Sequence, residues 1–147
     1  MGYGWVLVQA VLFVGYGLAL GSGASASWGA WRWIGAPLLV LGAWLGLAAL
    51  RMHGRQLTPL PEPNRALGLQ RGGVYAVIRH PMYTGLLLIA FGLALLLQKP
   101  WGIAMALVLS LFFNLKAREE ERRLRRCYPD YADYQRSTGR FLPRWRQ

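Results

Sequence analysis

The chain has 147 residues, 54% hydrophobic and 16% charged, with a net charge of +11 and a mean hydropathy of +0.25. That is more apolar surface than a soluble domain of this length buries, so the chain reads as an integral membrane protein. A single cysteine excludes an internal disulfide framework, two histidines beside it offer no metal-ligand spacing, and no nucleic-acid module accompanies the positive charge, so neither metal nor nucleic acid is expected.

Four apolar segments are predicted, giving an all-α fold of about four transmembrane helices. The first, about 3–20, and the second, about 33–50, are each long enough to cross a hydrocarbon core of roughly 30 Å. Ala24-Ser25-Ala26 resembles a signal-peptide cleavage site, but no Lys or Arg precedes the first segment, so it is expected to remain as a span. Gly17 and Gly21 in the first segment, and Gly42 and Gly46 in the second, have small-xxx-small spacing, which suits close helix packing within the bundle and leaves room for a homodimer. Trp5, Trp28, Trp31, Trp33 and Trp101 fall near segment ends, as an interfacial belt would.

A loop over 51–81 follows, in which Pro59, Pro61 and Pro63 enforce an extended strap and His53 reads as a surface residue near headgroups. The third segment, about 82–98, and the fourth, about 101–115, are separated only by Lys99-Pro100, which makes them a tight antiparallel hairpin; their shortness also suits a re-entrant pair. The tail, 116–147, opens with a charged helix. Fifteen of the seventeen Lys and Arg residues lie in the 51–81 loop or from Lys116 onward, so both termini are expected in the cytoplasm, and a bacterial inner membrane is the favoured setting. The arginines at 122, 123, 125 and 126 then face anionic headgroups.

Two stretches carry chemistry. Arg79-His80-Pro81-Met82-Tyr83-Thr84-Gly85 places polar side chains at the mouth of an apolar helix, where they are costly unless used. Pro81 also suits a helix start, and a helix N-terminus is itself a seat for a carboxylate. If the fourth helix continues into the charged stretch, its inward stripe is Phe113, Ala117, Glu120, Leu124, Cys127 and Tyr131. Glu119 and Glu121 have Arg123 and Arg125 four residues on and read as a solvated ladder, whereas Glu120 has Leu124 there and needs a distant partner or a cationic ligand. Cys127 reads as a small packing residue. Tyr128, Tyr131 and Tyr134 could wall a heterocycle or anchor the tail.

In order and spacing, Gly73-x-Tyr75-x-x-x-Arg79-His80-Pro81-x-Tyr83-x-Gly85, and then Glu120-Glu121-x-x-Leu124 with Tyr131, Tyr134, Arg140 and Pro143, resemble the isoprenylcysteine carboxyl methyltransferase family and the related phospholipid methyltransferases. The resemblance implies one membrane methyltransferase domain over 1–147 that uses S-adenosylmethionine, releases S-adenosylhomocysteine, and methylates a carboxylate, thiol or amine of a lipophilic acceptor drawn from the bilayer. It assigns Tyr75, Arg79, His80, Pro81, Tyr83, Gly85, Glu120 and Glu121 to the cofactor, and Tyr131, Tyr134 and Arg140 to substrate or tail contacts. No catalytic base is assigned, because a carboxylate or thiolate can attack the sulfonium methyl directly. The alternative is a non-enzymatic membrane protein whose basic tail binds anionic lipid or a partner subunit.

Overall fold

The computed structural model describes residues 2–53 and 68–144. The proline strap over 57–63 lies outside them, as does any test of His53's surroundings. Five α-helices follow in chain order: α1 (Tyr3–Gly21), α2 (Gly35–His53), α3 (Pro81–Leu96), α4 (Pro100–Cys127) and α5 (Tyr131–Ser137). Short 3-10 turns at Gly29–Ile34 and Gly73–Ala76 lead into α2 and towards α3.

Three helical stretches, Tyr3–Gly21, Gly29–Met52 and Pro100–Cys127, are long and apolar enough to span a membrane. α3, at 16 residues, rises only about 24 Å. The apolar segment expected at 101–115 lies within α4, which continues unbroken into the charged stretch for 28 residues, about 42 Å, longer than a hydrocarbon core of roughly 30 Å. Side chains such as Leu7, Leu18, Val40 and Leu111, each at least 60% exposed, form the outward apolar faces that a bilayer would cover.

The helices pack in the order α2, α3, α4, α1, with α5 against the far end of α4. α2 and α3 touch backbone to backbone. A Cβ added to Gly85 would stand 2.7 Å from the Gly42 carbonyl oxygen and 2.9 Å from the Gly46 nitrogen. The expected packing role therefore holds for Gly42, whose own added Cβ would stand 2.6 Å from the Gly85 carbonyl oxygen, whereas Gly46 contributes only its backbone, since a Cβ there meets nothing within 4 Å. The role does not hold for Gly17 and Gly21, which meet nothing within 4 Å. α1 packs instead through Tyr16, whose hydroxyl donates to the Ala90 carbonyl at 2.6 Å, and through Trp5 and Phe13, which contact Phe112 and Phe113 on α4.

The α3–α4 hairpin forms as its sequence predicts. Gln98 adopts a left-handed conformation (φ 57°), which lets its N–H reach the Leu95 carbonyl and the Lys99 N–H reach that of Ala94, a closed helix C-terminus. Pro100 then opens α4 with no N–H to leave unpaired. The turn is tied to the α1–α2 connection: the Trp28 N–H donates to Gln98 Oε1 at 3.0 Å and the Ala26 N–H to the Gln98 carbonyl at 2.9 Å.

Candidate functional site

The two sequence signatures meet where α3 begins, where α4 leaves its apolar half, and where the tail turns back. Pro81 occupies the first turn of α3 and His80 its N-cap. The tail after α5 runs alongside this entrance. The Arg79 N–H donates to the Gly139 carbonyl at 2.8 Å and the His80 N–H to that of Arg140 at 3.1 Å, beside a parallel bridge between Ile78 and Gly139. Thr84 Oγ1 donates to the Phe141 carbonyl at 3.0 Å. Residues some sixty positions apart are thus held as one unit.

Glu121 stands at the centre, its side chain 1% exposed. Its Oε1 accepts from Arg79 Nε at 3.0 Å and Arg140 Nε at 3.1 Å, and lies 3.3 Å from His80 Nε2. Its Oε2 accepts from Arg140 Nη2 at 2.6 Å and Gln135 Nε2 at 3.0 Å. The expected solvated pairing of Glu121 with Arg125 is corrected. A four-residue step from buried Ala117 lands on Glu121, so this carboxylate faces the tail and α3, while Arg125 is left exposed. The ladder reading holds for Glu119, which accepts from Arg123 at 2.9 Å and Arg122 at 3.0 Å. Arg79 is held further, for its Nη1 also donates to the carbonyls of Gln135 and Thr138.

Glu120 looks the other way. Its Oε1 accepts from the Tyr83 hydroxyl, its Oε2 lies 3.5 Å from His80 Nδ1, and 18% of its side chain is open. The imidazole of His80 is therefore set between two carboxylates, one at each nitrogen. The rings form a column: His80 stacks on Tyr83 at 5.5 Å and Tyr83 on Phe113 at 4.7 Å, with Phe141 tilted against His80. Lys116 Nζ lies 5.5 Å from the Tyr83 ring centre and donates to Gln9 Oε1 at 2.7 Å; its charge also acts on Glu120.

Of the residues expected at the site, Arg79, His80, Tyr83, Glu120, Glu121 and Arg140 come together. Pro81 shapes the entrance, and Gly85 faces the α2 backbone. Tyr75 is buried beneath α5, its carbonyl accepting from the Tyr134 hydroxyl at 2.6 Å. Tyr131 and Tyr134 are 1% and 7% exposed and pack edge to face at 5.8 Å. Burial raises the pKa of the Tyr134 hydroxyl to about 12 and also raises those of Tyr75 and Tyr131, so all three remain neutral at ordinary pH.

Sequence reading missed Lys116, Gln9, Asn114 and Gln135. Lys116 had a signal, since it precedes Glu120 by one turn, at i−4 rather than i+4. Asn114, which accepts from Arg140 at 2.8 Å, and Gln135 had none, because their partners are distant in sequence.

A cobalt-zinc-cadmium resistance protein of Cupriavidus metallidurans is 35% identical over 129 residues, covering 82% of this chain and 58% of that protein. The protein-S-isoprenylcysteine O-methyltransferase of Saccharomyces cerevisiae is 29% identical over 114 residues, covering 75% and 48%. The solved structure of a eukaryotic intramembrane Ras methyltransferase, isoprenylcysteine carboxyl methyltransferase, superposes with a TM-score of 0.68 at 25% identity, covering 97% of this chain and 53% of that one. The chain spans about half the length of the curated relatives it matches. Residues 30–131, which hold α2, α3, α4 and both carboxylates of the site, match the family model for phospholipid methyltransferase, and the chain belongs to that family.

Proposed function

We propose that the chain is an integral-membrane methyltransferase that uses S-adenosylmethionine and methylates a lipophilic acceptor at the membrane surface. The observation that carries this reading is the convergence of Tyr83 and Glu120, from separate signatures, on one partly open carboxylate flanked by aromatic rings. The donor set fits the cofactor. Glu120, oriented by the Tyr83 hydroxyl, would accept the cofactor's ammonium, and the partly exposed edge of Tyr83 beside it would lie near the sulfonium. Bound there, S-adenosylmethionine supplies an electrophilic methyl group.

The remaining residues position these groups. Glu121 fixes Arg79, His80 and Arg140 at once, so the rings and Glu120 sit on a scaffold already in place before any ligand arrives. Arg79 and Arg140 are engaged by Glu121, while Glu120 takes the Tyr83 hydroxyl. The basic residues gathered after α2 and along α4 support an orientation with this face in the cytoplasm.

The deciding experiment is calorimetry of the purified, metal-free protein with S-adenosylhomocysteine in detergent and in nanodiscs. Binding in both is expected. Folded protein that binds neither S-adenosylhomocysteine nor S-adenosylmethionine in either medium overturns the proposal.

A further inference from the structure

Beside the cluster described above lies a cleft of about 220 Å³ lined by Arg118, Glu121, Arg122, Arg125 and Arg140. Arg118, Arg122 and Arg125 follow one another at helical spacing on one face of α4. Glu121 already serves Arg79 and Arg140, and Arg122 shares Glu119 with Arg123. Among the described residues no hydrogen bond or ion pair holds Arg118 or Arg125. The cleft therefore concentrates positive charge that the chain itself does not neutralise.

The same stripe of α4 continues towards the bilayer. Leu107, Leu111 and Leu115 precede Arg118 at steps of four, four and three, and are 59%, 60% and 45% exposed. An apolar track thus leads along one helix face into a pocket of guanidinium groups. From Arg118 to Arg125 the helix rises about 10 Å, the depth of a headgroup layer next to an apolar helix end. Arginine forks suit phosphate oxygens, and the track suits an acyl chain. We propose that this groove binds one anionic phospholipid, its phosphate among Arg118, Arg122 and Arg125 and a chain along Leu107, Leu111 and Leu115. The assignment does not depend on the methyl-transfer reading.

The test is native mass spectrometry of the detergent-purified chain titrated with phosphatidylglycerol, with phosphatidylcholine and with inorganic phosphate. Phosphatidylglycerol should be retained in preference to phosphatidylcholine. The double variant Arg118→Gln/Arg125→Gln should weaken that retention about tenfold or more, whereas Arg51→Gln/Arg136→Gln, which removes the same charge outside the cleft, should leave it unchanged. Arg118→Lys/Arg125→Lys keeps the charge without the fork and should fall between wild type and the glutamine pair, which provides a reading if the glutamine pair fails to fold. Equal loss in both glutamine pairs, no lipid preference, or displacement of the lipid by an equal concentration of inorganic phosphate would each overturn the proposal.

Discussion

Arg79 and Glu121 form an ion pair at 3.0 Å with side chains only 9% and 1% exposed. A buried pair of this kind gives little net stability over apolar packing, but removing one member strands the other. Glu121→Ala would leave Arg79 and Arg140 facing each other without a counter-charge. We expect it to cost about 3 to 5 kcal/mol, read as a large drop in melting temperature in detergent. A melting temperature close to wild type would mean that water replaces the carboxylate and that Glu121 is no keystone.

Glu120 should behave in the opposite way. Glu120→Gln keeps the volume and the contact with Tyr83 while removing the charge that an ammonium would seek. Cofactor affinity should fall by more than about 1.4 kcal/mol, a tenfold step, with the melting temperature nearly unchanged. Glu119→Gln, on the exposed ladder with Arg122 and Arg123, should change affinity far less. Equal, small losses from both substitutions, measured by calorimetry, would remove Glu120 from the binding site.

These two adjacent carboxylates mark where the sequence could and could not be read. Apolar runs and Lys99-Pro100 were enough for the helices and the hairpin, because spans and helix starts are written in local composition. The pairing of Arg79 and Glu121 depends on the tail folding back through Gly139 and Arg140 onto the entrance of α3, a contact no local pattern encodes. The expected stripe buries Phe113, Ala117 and Tyr131 and brings Glu120 to Tyr83, but it left out Glu121 for the same reason: α4 meets α3 on one side and the tail on another, so both carboxylates face protein although only one lies on any single stripe. Gly85 carried a signal for close approach, but sequence alone could not separate approach to a ligand from approach to α2.

The hairpin turn offers a separate test. Gln98 pays for its left-handed backbone, a conformation costing an L-residue roughly 1 kcal/mol, and its side chain and carbonyl hold the Trp28 and Ala26 amides. Gln98→Ala keeps the backbone penalty and loses the Trp28 bond, so it should destabilise by about 1 kcal/mol. Gln98→Gly relieves the penalty while losing the same bond and should lie nearer wild type. Melting temperatures in that order support the account, and alanine matching or exceeding glycine contradicts it.

The glycine contact between α2 and α3 sets the last expectation. Because the Gly42 carbonyl and the Gly46 nitrogen stand within 3 Å of where a Gly85 Cβ would be, Gly85→Val must push α2 and α3 apart. In a bilayer those helices are held mainly by close packing, since lipid tails are as apolar as the side chains. Overpacking at such a contact costs about 1 to 3 kcal/mol, and the displacement carries Tyr83, two residues earlier on α3, away from Glu120. Gly85→Val should therefore lower both melting temperature and cofactor affinity. Gly17→Val on α1, where a Cβ meets nothing within 4 Å, provides the control and should lower neither. A folded Gly85→Val protein with wild-type affinity would show that the α2–α3 seam and the Tyr83–Glu120 contact are mechanically independent.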